Sequence, residues 1–195
     1  MNNFNEIINE MKEHGMKVQD NRVQFKIPNA KEITQQLLFQ FIRNEGKQAV
    51  WINEYDEIVE WLEDNKGLGL LLHGKCGNGK TIMGRYVLPA ILLHNARKVV
   101  NTYDVNELNK NIDLVLSKKI ISIDDVGTEE ISIKYGEKRL AFAELMDMVE
   151  KQSKLIIITT NLTAEQIIAK YGTRTMDRII GTTKRIAFNE SSFRK

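Results

Sequence analysis

Eight consecutive residues, Gly74-Lys75-Cys76-Gly77-Asn78-Gly79-Lys80-Thr81, satisfy every fixed position of the pattern G-x-x-x-x-G-K-[ST]. The residue types explain the chemistry. Glycines let the backbone wind until successive N–H groups face one chain of phosphates. A helix beginning near Lys80 adds the positive end of its dipole. The Lys80 ammonium reaches the β- and γ-phosphates, and the Thr81 hydroxyl is a ligand for Mg²⁺. All eight residues are therefore candidate nucleotide-binding positions. A helix N-terminus can lower a thiol pKa, but the plainer reading of Cys76 is a backbone amide donor within the loop.

A second constellation lies downstream. Ile120-Ile121-Ser122-Ile123-Asp124-Asp125 is an apolar strand that ends in two carboxylates. Nucleotide hydrolysis needs one carboxylate to hold Mg²⁺ through water and another to polarise the attacking water. Asp124 suits the first role and Asp125 the second. Asp125 is one methylene shorter than glutamate, which predicts slow turnover.

These groups need a scaffold, and the apolar pattern predicts one. Strands are expected over residues 68–73, 98–102, 120–124, 155–160 and 185–188. Helices are expected near 80–94, 104–111, 137–151 and 163–171. Thr163 and Gln166 have capping-box spacing, and Gly172 suits the helix stop. Pro89 is expected to kink or shorten the helix after the loop, because it cannot donate to Arg85. Strands alternating with helices predict a mainly parallel sheet covered on both faces. Upstream, residues 3–14 read as a helix and 16–27 as a hairpin turning at Asp20-Asn21. A further helix is expected to start at Asn29 with Ile33, Leu37 and Phe41 on one face, and another to carry Tyr55, Ile58, Val59 and Leu62. A polar break at residues 44–47 divides an N-terminal extension, 1–46, from a core domain, 47–195.

Composition excludes several classes. The 195 residues are 42% hydrophobic and 28% charged, as in an ordinary globular protein. Lys and Arg total 28 against 26 Asp and Glu, so bulk charge gives no argument for nucleic acid. A single cysteine excludes a disulfide framework and a cysteine-based zinc cluster, and suits the cytoplasm. The N-terminus has no apolar core of the signal-peptide kind. No apolar run approaches the ~20 residues of a membrane helix.

Further motifs follow in order: Ile123-Asp124-Asp125-Val126-Gly127-Thr128-Glu129, Ile158-Thr159-Thr160-Asn161-Leu162, Tyr171-Gly172-Thr173-Arg174-Thr175-Met176-Asp177-Arg178 and Ser192-Phe193-Arg194. Together with the phosphate loop they resemble the AAA+ ATPases of the DnaC-type replicative helicase loaders and their IstB-type transposition-helper relatives, over about residues 47–195. The resemblance implies an α/β P-loop NTPase three-layer sandwich with a five-stranded parallel sheet in the order 5-1-4-3-2. It implies an AAA+ core without the helical lid, preceded by a small N-terminal α+β extension. ATP and Mg²⁺ are the implied cofactors. Asn161 matches the sensor 1 position and Arg178 the arginine finger that acts on a neighbouring subunit, with Arg174 as second choice. Arg194 matches the terminal motif without a firm role.

The activity implied is a weak, switch-like ATPase whose ATP state controls self-assembly on a replicative DNA helicase in DNA replication. The alternative is the IstB-type helper, which binds duplex DNA. Two further readings stay open: a small-molecule P-loop kinase and a nucleotide binder that does not hydrolyse. Single-stranded DNA is a candidate partner, although residues 103–119, where loaders often carry a DNA-binding helix, are short. Lys110, Lys118 and Lys119 are the cations there. Residues 1–46 read equally as a helicase-docking element and as a packing adjunct.

Overall fold

Leu70–Leu72, Ile120–Ile123 and Leu155–Ile158 are runs of apolar, mostly branched residues, so each strand must be covered on both faces. The computed structural model describes residues 3–18, 21–75, 77, 79–129, 132–134 and 137–188. Its elements in chain order begin with α1 (Phe4–Glu13), α2 (Ala30–Asn44), α3 (Asn53–Glu63) and β1 (Gly69–Gly74). After the phosphate loop come α4 (Lys80–Ile82), a π-helical segment (Met83–Val87) and α5 (Leu88–Ala96). Next are β2 (Asn101–Asp104), α6 (Val105–Lys110), α7 (Ile112–Leu116) and β3 (Ile120–Val126). A short antiparallel pair, β4 (Ser132–Lys134) and β5 (Glu137–Arg139), precedes α8 (Ala141–Lys151). The chain continues through β6 (Leu155–Thr160), α9 (Ala164–Tyr171), α10 (Thr173–Thr182) and β7 (Thr183–Phe188).

The five long strands form one parallel sheet in the order β2-β3-β6-β1-β7. Counted within the sheet, that is the expected 5-1-4-3-2. Strand alternation divides the core into two layers. Leu70, Leu72, Ile157 and Ile186 face α2, α3 and α5, while Leu71, Ile121, Ile123, Ile156 and Ile158 face α6 to α10. The capping box at Thr163 and Gln166 forms as expected, and Gly172 ends α9 at φ 87°. No helix among the described residues is long and apolar enough to cross a membrane.

The expected hairpin over residues 16–27 does not form, since its described residues contain no strand. Across residues 23–27, Asn65 takes the place of a partner strand. Its Oδ1 accepts from the Phe25 N–H at 3.0 Å, its Nδ2 donates to the Val23 carbonyl at 2.9 Å, and the Ile27 N–H donates to Leu62. The alternation thus records the burial of Phe25 and Ile27 rather than strand pairing. The helix at Asn29 starts where expected but without its side-chain cap, because Asn29 is left-handed at φ 56°. Its buried stripe is Ala30, Thr34, Leu38 and Ile42, with Ile33, Leu37 and Phe41 at the margin. The helix expected from 137 begins at Ala141, because 137–139 pair with 132–134.

Pro89 acts through the π segment. The Leu88 N–H reaches back five residues to the Met83 carbonyl. The next bond of that series would join Pro89 to Gly84, and proline has no N–H to give. The buried Ser122 hydroxyl, from β3, donates to the Gly84 carbonyl instead, at 2.8 Å. Glycine is required there, because a Cβ would lie 2.8 Å from Thr159 Cγ2 on β6. The phosphate-loop helix is thereby drawn onto β3 and β6.

Two predictions follow from this packing. Ser122→Ala leaves a buried carbonyl without its donor and should destabilise the protein by about 1–3 kcal/mol in denaturant unfolding. His73, half-buried at the end of β1, has its pKa held below the usual 6.5 by burial and by the charges of Arg185 and Lys80. The unfolded chain then binds the proton more readily, so this contribution to stability is intact above pH 6.5 and is lost as the pH falls toward the folded-state pKa. His73→Gln should flatten that acid limb of the stability–pH curve.

Candidate nucleotide site

The carboxyl ends of β1, β3 and β6 meet at one edge of the sheet. At β1 the chain leaves through Gly74 at φ 128°, where a Cβ would sit 2.2 Å from the Phe188 carbonyl oxygen of β7. Gly79 stands at φ 80°, and a Cβ there would lie 2.5 Å from the Tyr55 hydroxyl. Both glycines are thus favoured by their positive φ, and Gly74 also by the close approach of the β7 backbone. Lys80 is buried, and its Nζ donates to the Gly74 carbonyl at 2.9 Å and the Lys75 carbonyl at 2.7 Å, with the Phe188 ring 6.0 Å away. The ammonium is held at the mouth of the loop it is expected to serve. Thr81 is exposed beside it. Cys76, Asn78 and Arg194 lie outside the described residues.

The acidic strand end has a specific geometry. Between Ile123↔Ile158 and Val126↔Thr160, β3 carries one residue more than β6. This bulge puts Asp125 at φ 60°, a left-handed conformation uncommon for a non-glycine residue. Thr159 fastens it from the neighbouring strand. Its Oγ1 donates to Asp124 Oδ1 at 2.5 Å and accepts from the Asp125 N–H at 2.9 Å. Thr160 donates to the Val126 carbonyl at 2.5 Å. The bulge turns the two carboxylates apart. Asp124 is buried at 4% exposure, with its Oδ2 3.7 Å from Arg85 Nη1. Asp125 reaches across to the residue that follows β6, where Asn161 Nδ2 donates to its Oδ1 at 3.2 Å.

Asp124, Asp125 and Asn161 are therefore together, on the strand tips beside the strand that leads into the phosphate loop. Thr81 offers a hydroxyl and Asp124 a carboxylate oxygen, which together would make a sparse, hard-oxygen donor set. Mg²⁺ suits it, since that ion keeps waters and adds one or two carboxylates to substrate phosphates. No cluster of three or more His, Cys, Asp or Glu residues able to hold a metal by itself occurs among the described residues.

Thr159 and Arg85 are site residues that sequence reasoning did not single out. Thr159 stands in the Ile158–Leu162 motif and is the first polar residue of an otherwise apolar strand, but neither signal pointed to its contacts with Asp124 and Asp125. Arg85 had no signal apart from lying five residues beyond Lys80.

The Gly127–Glu129 loop is clamped from α9. Glu129 accepts from the Gly127 N–H at 2.9 Å and from the Tyr171 hydroxyl, while Lys170 donates to the Gly127 and Glu129 carbonyls at 2.7 and 2.8 Å. Burial and the Glu129 carboxylate push the Tyr171 phenol pKa up.

Arg178 and Arg174 make their ion pairs with α8. Arg178 is buried on α10, with its Nε 3.0 Å from Glu150 and its Nη1 on Asp147 of α8. Arg174 has a 74% exposed side chain and lies 3.6 Å from Asp147.

A family model described as Novel STAND NTPase 3 matches residues 50–187. No curated protein sequence matches the chain. Among solved structures, DnaI superposes with a TM-score of 0.55 at 18% identity, covering 83% of this chain and 95% of that one. The DnaC helicase loader gives 0.54 at 18% identity, covering 85% and 93%. AMPPCP-bound DnaA from Aquifex aeolicus gives 0.51 at 14% identity, covering 71% and 48%. The likeness to these three is one of fold, and it bears out the P-loop NTPase architecture with a five-stranded parallel sheet expected from the sequence. Because the matched segment holds the phosphate loop, both strand-end carboxylates and Asn161, the chain belongs to the Novel STAND NTPase 3 family.

Proposed function

We propose that the protein binds ATP with Mg²⁺ at residues 74–81 and hydrolyses it slowly, and that the nucleotide state sets its assembly on a replicative DNA helicase. The observation that carries the catalytic part is the Asp125–Asn161 pair at the bulge. A carboxylate and an amide there, on strand tips beside the phosphate loop, are the two groups needed to polarise and hold an attacking water. When bound, Mg²⁺ would supply charge neutralisation at the phosphates, with Thr81 and Asp124 as the residues to hold it. Lys80 would turn from the Gly74 and Lys75 carbonyls toward phosphate oxygens. Asp125 would take the proton of the water, and Asn161 would orient it. The reach of Asp125 is limited by its short side chain and by the bulge, which supports a switch more than a fast motor.

The client assignment rests on the fold shared with the DnaI and DnaC structures. α1 supports it. This helix has no buried residue and exposes Phe4 at 72% and Ile7 at 42%. Residues 25–44 are different, since Phe25, Ile27, Leu38 and Ile42 belong to the core that packs on β1 and α3. Docking is thus assigned to the first part of the 1–46 extension. Of the two arginines, we assign the role toward a neighbouring subunit to the exposed Arg174, while Arg178 ties α10 to α8.

Lys80→Ala should weaken ATP binding by roughly ten- to a hundredfold in calorimetric titration, the loss of charge-assisted bonds to phosphate. Unchanged affinity would remove the loop from the site. Asp125→Asn should bind ATP normally and lower turnover by about a hundredfold or more. Arg174→Ala should lose assembly-stimulated hydrolysis with its melting temperature unchanged. Arg178→Ala should instead lose about 1–3 kcal/mol of stability. For the client, light scattering of the chain mixed with a replicative helicase should show a nucleotide-sensitive complex that deletion of residues 1–15 abolishes. A complex that survives the deletion would contradict the docking role of α1.

A further inference from the structure

Arg85 stands on the π segment, five residues beyond Lys80, and its Nη1 is 3.7 Å from Asp124 Oδ2. Three independent features put it there. Gly84 lets the helix close on β6, where any Cβ would meet Thr159 Cγ2. The π turn upstream of Pro89 changes the direction of the residues it contains, and Ser122 fixes its loosened carbonyl. Thr159 occupies the other oxygen of Asp124, so Oδ2 is the one that faces the guanidinium. At 3.7 Å the contact is beyond hydrogen-bond reach, so Coulomb attraction holds it and no directional fork does. The Arg85 side chain is 32% exposed and the Asp124 side chain 5%, so the arginine is the solvent-facing member of the pair.

We propose that Arg85 is a positioning residue of the nucleotide site that competes with the divalent cation for Asp124 Oδ2. It balances the buried carboxylate and sets the Mg²⁺ concentration at which the metal displaces it. The two cations cannot share one oxygen without repulsion, so entry of Mg²⁺ requires Arg85 to withdraw. Mg²⁺ and nucleotide binding are then linked through this exchange, because phosphates that attract Mg²⁺ also favour the release of Arg85. The inference rests on the reading of Asp124 as the metal-holding carboxylate.

The test uses the full chain and a fluorescent, non-hydrolysable ATP analogue. Its affinity is measured as Mg²⁺ is raised from chelator to millimolar, which gives a midpoint for the metal-dependent gain. Arg85→Met and Arg85→Gln should lower that midpoint about fivefold, the equivalent of an ion pair of about 1 kcal/mol. Arg85→Lys keeps the charge and should stay close to wild type. A midpoint that is unchanged or raised in both neutral variants would overturn the competition. So would an affinity loss of equal size with and without Mg²⁺, the mark of a purely structural role. Wild-type protein that binds no analogue under either condition would overturn the nucleotide site itself, and this inference with it.

Discussion

A carboxylate buried at the tip of a central strand is the constraint around which this molecule is arranged. An ionised group is costly to remove from water unless hydrogen bonds and an opposite charge replace its hydration. Asp124 obtains the Thr159 hydroxyl from β6 and the Arg85 guanidinium from the π segment. Each depends on a further device. Thr159 can hold both Asp124 and the Asp125 N–H because β3 bulges by one residue. Arg85 comes within range because a glycine and a proline draw the helix in and widen one turn.

The same bulge separates the chemistry of neighbouring carboxylates. Successive residues on a regular strand point to opposite faces. Here the left-handed Asp125 is aimed along the sheet edge toward Asn161, while Asp124 stays buried toward Arg85. The two carboxylates thereby face different surroundings, a guanidinium for Asp124 and an amide for Asp125. The Gly127–Glu129 loop that follows is held by Lys170 and Tyr171, so the two motifs flanking Asn161 form one clamp. These contacts limit how far the strand end can relax.

Much of this was legible in the sequence, because it rests on local or periodic signals. The apolar runs of β1, β3 and β6, the phosphate-loop pattern and the Thr163 capping box each have a period or spacing of their own. Features set by distant partners were not legible. Alternation over Val23, Phe25 and Ile27 suggested a hairpin, but Asn65, some 40 residues away, satisfies the backbone. The signal at Pro89 predicted a kink, and Ser122 on another strand turned it into a stable π segment. Arg85 and Thr159 have roles that exist only once β3, β6 and the phosphate-loop helix are together. Arg178 matched a spacing motif, and its ion pairs with Asp147 and Glu150 of α8 had no signal in the sequence.

The most direct test of the Asp124-centred site is electron paramagnetic resonance of Mn²⁺ titrated into the protein in place of Mg²⁺, with and without a non-hydrolysable ATP analogue. The account predicts that Mn²⁺ is immobilised only when nucleotide is present, at one ion per chain, and that Asp124→Asn releases it while the analogue stays bound. Immobilised Mn²⁺ that survives Asp124→Asn would contradict the account, and so would the absence of nucleotide-dependent Mn²⁺ binding in the wild-type protein.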